Sequence, residues 1–174
     1  MDVTLLSDRS IRLKGKTAAI IINPTKTIGK TVAEGVVKLW DYPEFSDEKV
    51  DEERILIQGP GDYEVGGIKV STSEVGDKLV GRIEVDGVKL LVGSGATIEK
   101  ISDKTEGGEV AVVDADSEFN HDVLATIEPS VLIVYGPKSE DVAKSLGKSD
   151  VPKVSKFTTS PDKLPEEMQF IQLG

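Results

Sequence analysis

The stretch Gly59-Pro60-Gly61-Asp62-Tyr63-Glu64-Val65-Gly66-Gly67-Ile68-Lys69-Val70 predicts a tight β-hairpin with a turn before it. Its four glycines and one proline exclude a helix interior, where glycine is entropically costly and proline lacks the N–H that the helix needs. Residues 59–61 predict the turn, 62–65 a short strand, 66–67 the reversal and 68–70 the returning strand. The chain is therefore expected to be rich in β-structure.

Short apolar runs on both sides of the hairpin predict further strands. They lie at residues 3–6, 11–13, 17–22, 36–40, 55–57, 78–85, 88–92, 109–113, 131–135, 154–157 and 168–173. Asp86 and Gly87 join two of these runs and suit a type I′ turn, because both residue types tolerate positive φ. Strand content is expected to exceed helix content.

Two helices are predicted in the second half of the chain. Asn120 is a candidate N-cap for a helix at 121–127, and Ser139 is a candidate N-cap for a helix at 139–146. The polar segment 97–108 predicts an exposed loop. Because strands come first and then alternate with helices, we expect one α+β domain over residues 1–174, with two packed sheets and a few helices outside.

Composition and charge narrow the classes of function. The 174 residues are 38% hydrophobic and 30% charged, which is typical of a soluble globular domain, and the net charge of -10 opposes binding to nucleic acid or to an anionic membrane. No apolar run approaches the roughly 20 residues of a membrane span, and residues 1–10 lack a signal-peptide pattern. We therefore expect a cytoplasmic protein. There is no cysteine and only one histidine, His121, so a conventional zinc site is not expected.

The hairpin motif also carries a resemblance to a known family. Residues 59–70 fit the pattern G-P-G-[DE]-Y-E-x-x-G-I-x-V, which resembles the mid-chain signature of metallo-β-lactamase-fold hydrolases in the L-ascorbate-6-phosphate lactonase-like branch. Segments 22–24, 82–88, 128–133 and 164–169 are similar to further motifs of that family, in the same order. The resemblance implies a helix-poor αβ/βα sandwich of two mixed sheets. It implies a structural role for the motif residues Gly59, Pro60, Gly61, Asp62, Tyr63, Glu64 and Gly67.

The metal-binding positions of that family fall on unsuitable residues. Its H-x-H-x-D-H motif follows a short apolar strand, and the bridging aspartate and last histidine follow later strands. The corresponding positions here are Trp40, Tyr42, Glu44, Phe45, Ser94 and Gly136, and a further histidine falls near Glu74. Among the positions that correspond to the H-x-H-x-D-H motif, only Glu44 could hold a cation. The resemblance thus implies a degenerate member with no zinc, no other cofactor and a pocket filled by Trp40, Tyr42 and Phe45.

Several functions remain open from the sequence. The first is a non-catalytic binding or scaffold module with a protein or small-molecule partner. The second is a metal-dependent hydrolase or lactonase with oxygen ligands, for which Asp114 and Asp116 could share a cation with Asp41 or Glu44. In such an enzyme His121 could be a lone base, although an exposed first-turn residue is the simpler interpretation. The third is a phosphate binder, because residues 24–31 match a P-loop except that Pro24 replaces its first glycine.

Overall fold

A computed structural model gives the structure of residues 1–52, 54–101 and 108–174. The strands are β1 (Asp2–Ser7), β2 (Ser10–Lys14), β3 (Ala19–Ile22), β4 (Thr31–Val32), β5 (Gly35–Val37), β6 (Val50–Asp51), β7 (Ile55–Ile57), β8 (Gly61–Val65), β9 (Ile68–Val75), β10 (Lys78–Val85), β11 (Val88–Ser94), β12 (Val110–Asp114), β13 (Val131–Tyr135), β14 (Lys153–Val154), β15 (Lys156–Thr158) and β16 (Gln169–Leu173). The helices are α1 (Gly95–Ile101), α2 (Val123–Thr126) and α3 (Ser139–Ser145), and Pro161–Lys163 forms a 3-10 turn.

Most strands belong to two mixed sheets. The first has the order β15-β1-β2-β3-β5-β7, antiparallel from β15 to β3 and parallel from β3 to β7. The second has the order β14-β16-β13-β12-β11-β10-β9-β8, with antiparallel pairs from β8 to β11 and parallel pairs beyond. The predicted helix-poor α+β fold with two mixed sheets is therefore confirmed.

Three clusters of buried apolar residues hold the two sheets together and cover parts of their outer faces. The largest lies between the two sheets and contains residues of both, such as Val37 of β5 and Val92 of β11. A second lies between the eight-stranded sheet and the three helices. The third covers the outer face of the six-stranded sheet with residues of the 24–52 segment, and Ile28 and Val50 are its anchors there. No helix of the described residues is long and apolar enough to cross a membrane.

Several boundaries differ from those predicted. Residues 97–101, predicted as exposed loop, form most of α1, because Ile98 is fully buried beneath the eight-stranded sheet. The rest of that predicted loop, residues 102–107, lies outside the described residues. Helix α2 begins only at Val123, since the Asn120 side chain accepts a bond from the backbone N–H of Asp122 and holds a turn there.

Two further predictions need correction. Ser139 is not the cap of α3, because Lys138 occupies that position and Ser139 is the first helical residue. The single strand predicted at 154–157 is two strands, β14 and β15, in different sheets, with Ser155 between them. The P-loop-like segment 24–31 forms turns that end in β4, and its Ile28 is a core residue.

The β8–β9 reversal depends on its two glycines. Gly66 and Gly67 have φ of 57° and 90°, and a Cβ on Gly66 would lie 2.5 Å from Ala18 Cβ. We expect Gly66→Ala to lower the free energy of unfolding by roughly 1–3 kcal/mol, because strain and steric overlap add. Urea denaturation measures this effect. Gly29→Ala is the control, because that position has ordinary φ and open space around it, and equal effects of the two changes would contradict the assignment.

Candidate functional site

Three inward-facing side chains stand in one row where neighbouring parallel strands end. Ser94 of β11 pairs in register with Asp114 of β12, which pairs with Tyr135 of β13. All three are fully buried. Because the carboxyl ends of parallel strands meet at one edge of a sheet, this row is where an α/β fold commonly places its functional groups.

Trp40 and Tyr42 extend from the end of β5 into the same region of the interior. Trp40 is 4% exposed and belongs to the core between the sheets, and Tyr42 is half-buried against that core. The Tyr42 hydroxyl donates to the carbonyl of Pro24 at 2.7 Å. Asn23 fixes the start of this segment, because its Oδ1 accepts the backbone N–H of Leu39 at 2.8 Å.

Asp114 is the central polar group of the site. Neither carboxyl oxygen has a hydrogen-bond partner in the described part of the protein. Burial raises the pKa of Asp114 well above its ordinary value, and the nearby Asp116 raises it further, while the cations Arg9 and Lys78 oppose the shift. The side chain is therefore a neutral carboxylic acid over a wider pH range than an exposed aspartate.

Asp116 lies two residues further on and holds the only two cations near the centre in the described structure. Lys78 Nζ donates to Asp116 Oδ2 at 3.2 Å, and Arg9 Nη1 lies 3.8 Å from the same oxygen. Lys78 also stands 5.4 Å from the centroid of the Trp40 ring, within range of a cation–π interaction. Lys78 therefore contacts both the Asp116 carboxylate and the Trp40 ring.

Gly136 provides the space that Asp114 occupies. Its φ is 95°, and a Cβ there would lie 2.4 Å from Asp114 Oδ1 and 3.2 Å from the carbonyl oxygen of Ala115. A larger residue at 136 would therefore displace the buried carboxyl. Tyr135, the residue before Gly136, is fully buried, and burial raises the pKa of its phenol.

Some of the predicted site positions do not reach this centre. Phe45 touches Tyr42 edge to face, with ring centroids 5.9 Å apart, but packs in the third cluster on the far side of the six-stranded sheet. Glu44 is exposed. Ser94 lies in the row, but its hydroxyl is hydrogen-bonded to Thr97 Oγ1 at 2.7 Å and accepts the Thr97 N–H. Trp40 and Tyr42 therefore belong to the core between the sheets or pack against it, whereas Phe45 packs against a different cluster.

His121 lies on the helical side of the eight-stranded sheet and does not face Asp114. Its Nδ1 is 2.6 Å from Ser145 Oγ, and its ring packs against Phe119. The Ser145 hydroxyl also donates to the carbonyl of Val142, so this contact belongs to α3 and not to the row of strand ends. Glu74 and Asp41 line a shallow polar crevice beside Trp40 instead of the buried row.

The sequence alone did not point to Tyr135, Arg9 or Lys78 as members of the site. Tyr135 was visible only as a strand residue, although its position before Gly136 and the strand alternation place it on the inner face. Arg9 and Lys78 come from turns far apart in the chain, at the β1–β2 turn and the start of β10. Only the packing of the two sheets brings them to Asp116.

These side chains do not suit a zinc ion. The donor set at the strand ends consists of two phenols, an indole, a hydroxyl already hydrogen-bonded and a single buried carboxyl, where zinc prefers imidazole, thiolate and carboxylate. Lys78 and Arg9 also bring positive charge to the rim. In the described ranges, no three His, Cys, Asp or Glu side chains are grouped so that they could hold a metal ion.

Solved structures with similar folds exist. A protein from Thermotoga maritima, described as a Zn-dependent hydrolase of the metallo-β-lactamase superfamily, matches with a TM-score of 0.74 at 18% identity, over 99% of this chain and 98% of that chain. A protein from Parabacteroides distasonis, described as a metal-dependent hydrolase, gives a TM-score of 0.62 at 12% identity, over 99% and 93%. The isothiocyanate hydrolase from Delia radicum gut bacteria gives 0.62 at 10% identity, over 92% and 100%.

No protein-family model and no curated protein matches the sequence. At these low identities the structural neighbours establish the fold but not the activity. Membership of the lactonase-like branch stays a prediction. The two mixed sheets and the neighbours' coverage of nearly the whole chain agree with the motif resemblance. The chain has the metallo-β-lactamase fold.

Proposed function

We propose that this chain is a non-catalytic binding or scaffold module whose fold has lost the metal centre of its hydrolase-like neighbours. The observation that carries the proposal is the row of buried side chains at the strand ends. There, Asp114 lies enclosed in the protein between Ser94 and Tyr135, its neighbours in register, instead of opening to a substrate cleft. No cofactor is part of this proposal.

The electrostatics support this proposal. A carboxylate that binds a metal must be deprotonated, and burial of Asp114 favours its protonated form. The cations at Asp116 would repel a divalent ion, and the rings of Trp40 and Tyr42 add apolar surface to this part of the interior, which disfavours a bound water nucleophile. Each feature removes one requirement of metal-assisted hydrolysis.

A metal-dependent hydrolase with oxygen ligands remains the second candidate, because neither oxygen of Asp114 has a hydrogen-bond partner among the described residues. Asp116 is its neighbour, but the exposed Glu44 would have to move inward to join them. The hydrolase candidate predicts bound metal and the non-catalytic candidate does not, so a measurement of metal content distinguishes them.

We expect the protein, purified without chelator, to contain well below one zinc per chain, and to keep its melting temperature when EDTA is added. Elemental analysis by mass spectrometry before and after incubation with zinc measures the content. About one or two zinc per chain, lost in Asp114→Asn or Asp116→Asn, would overturn the proposal in favour of the hydrolase. Glu166→Gln is the matched control, because its carboxyl is exposed and neither candidate assigns it to the site.

A further inference from the structure

The outer face of β8–β11 carries a groove that is separate from the centre described above. The three helices cover other parts of the eight-stranded sheet, and the open part forms a concavity of about 680 Å³. That volume lies in the usual range for small-molecule sites. One wall is the backbone at Gly108, where a Cβ would lie 2.7 Å from the backbone nitrogen of Leu91.

The strand register orders the charged side chains of this groove into two rows. One row crosses the strands as Glu64, Lys69, Glu84 and Lys89, and the other as Asp62, Ser71 and Arg82. Because side chains alternate between the two faces of a strand, all of them point away from the core. Their outward positions agree with the burial pattern, in which Val70, Ile83 and Leu90 are buried on the opposite face.

The charged side chains in the middle of the groove differ in their pairing from those at its two ends. Lys69 pairs with Glu84 at 3.1 Å in the middle. Within the described residues, the side chains of Arg82 and Lys89 make no ion pair on the β10–β11 side, and those of Asp62 and Glu64 make none on the β8 side. Cations therefore lie at one end of the groove and carboxylates at the other.

We propose that this groove binds a small zwitterion, with its anionic group at Arg82 and Lys89 and its cationic group at Asp62 and Glu64. Arg82 and Asp62 are separated by one intervening strand, so their Cα atoms are about 10 Å apart at two strand spacings. An extended tripeptide spans about 10 Å between its amino and carboxylate ends. The Ser71 hydroxyl lies between the two ends and is available to hydrogen-bond the ligand backbone.

The ligand class follows from this complementarity. A simple anion would be attracted at one end and repelled by the two carboxylates at the other, and a simple cation would meet the reverse. A free short peptide satisfies both ends at the required length. This site is on the opposite face of the sheet from Asp114, so the proposal does not depend on whether the buried centre binds metal.

Titration of the full chain with free tri-alanine, followed by amide chemical shifts, tests the proposal. We expect saturable shifts at Ser71, Arg82 and Lys69, with an affinity of about 1 mM that weakens with added salt because the contacts are exposed charges. N-acetyl-tri-alanine amide, which lacks both charges, is expected not to bind. Binding of both peptides equally, or no saturable shift up to about 20 mM, would overturn the proposal.

Single substitutions at each end locate the contacts. Arg82→Gln and Asp62→Asn are each expected to weaken binding about tenfold, because each removes a charge-assisted hydrogen bond. Arg54→Gln and Asp150→Asn make the same charge changes at exposed positions outside the groove and should leave the affinity unchanged. Far-UV circular dichroism checks that each variant is folded, and equal loss in all four variants would show a nonspecific charge effect and overturn the site.

Discussion

Trp40→Ala is expected to lower the free energy of unfolding by about 3–5 kcal/mol, the cost of truncating a large buried aromatic side chain. Trp40 is 4% exposed and fills the space between the two sheets beside the row of strand ends. Since a domain of this kind is stable by only about 5–15 kcal/mol, the loss should be visible as a lower urea midpoint and a lower melting temperature. Trp40→Phe keeps much of the buried area and should lose less.

Fluorescence gives an independent measure, because Trp40 is the only tryptophan of the chain. The folded protein should emit in the blue and resist quenching by iodide, and unfolding should shift the emission to the red. Phe45→Ala is the matched truncation in the other cluster and should leave this emission unchanged. A red, freely quenched tryptophan in the folded protein, with little stability lost on truncation, would contradict the filled centre and make this loop a partner surface.

The hairpins of this fold could be predicted from the sequence because their turns need particular backbone conformations. Gly66 and Gly67 have positive φ, and so do Asp86 and Gly87 in the β10–β11 turn. Such positions are decided by local chemistry, which a sequence displays directly. The fold followed from these turns together with the apolar runs and the motif resemblance.

Helix α1 shows where local chemistry is insufficient. Its sequence is polar except for Ala96, Ile98 and Ile101, and the packing of Ile98 with Val80 and Leu91 holds it in the second cluster. Tertiary contacts decide such a short segment, because helix propensity alone is weak over seven residues. The sequence therefore predicted a loop where the structure has a helix.

The site shows the same limit at the level of individual side chains. Tyr42 and Phe45 are three residues apart, yet one faces the core between the sheets and the other packs outside the six-stranded sheet. The direction of each ring depends on the conformation of the 40–46 loop after Trp40. No periodic pattern in the sequence predicts that conformation. The pairing of Asp116 with Lys78 and Arg9 likewise depends on three segments that are distant in the chain.

Asp114→Asn is expected to stabilise the protein at neutral pH, the opposite of what removing a paired carboxylate would do. In the folded state burial holds the pKa of Asp114 well above its unfolded value, so the folded protein keeps a proton that the unfolded chain loses above about pH 4. The wild type should therefore lose stability as pH rises through this window, by up to about 1.4 kcal/mol per pH unit. Asparagine is neutral at every pH and removes that slope.

The measurement is the free energy of unfolding in urea between about pH 3 and pH 8 for wild type and variant. The two proteins should be similar at the acid end, where both side chains are neutral, and the advantage of asparagine should grow as pH increases. Asp116→Asn is the matched control: it removes the partner of Lys78 and Arg9 and should instead lower stability. If Asp114→Asn destabilises the protein at neutral pH, the ionised carboxylate has a partner in solution, as it would if a cation occupied the centre.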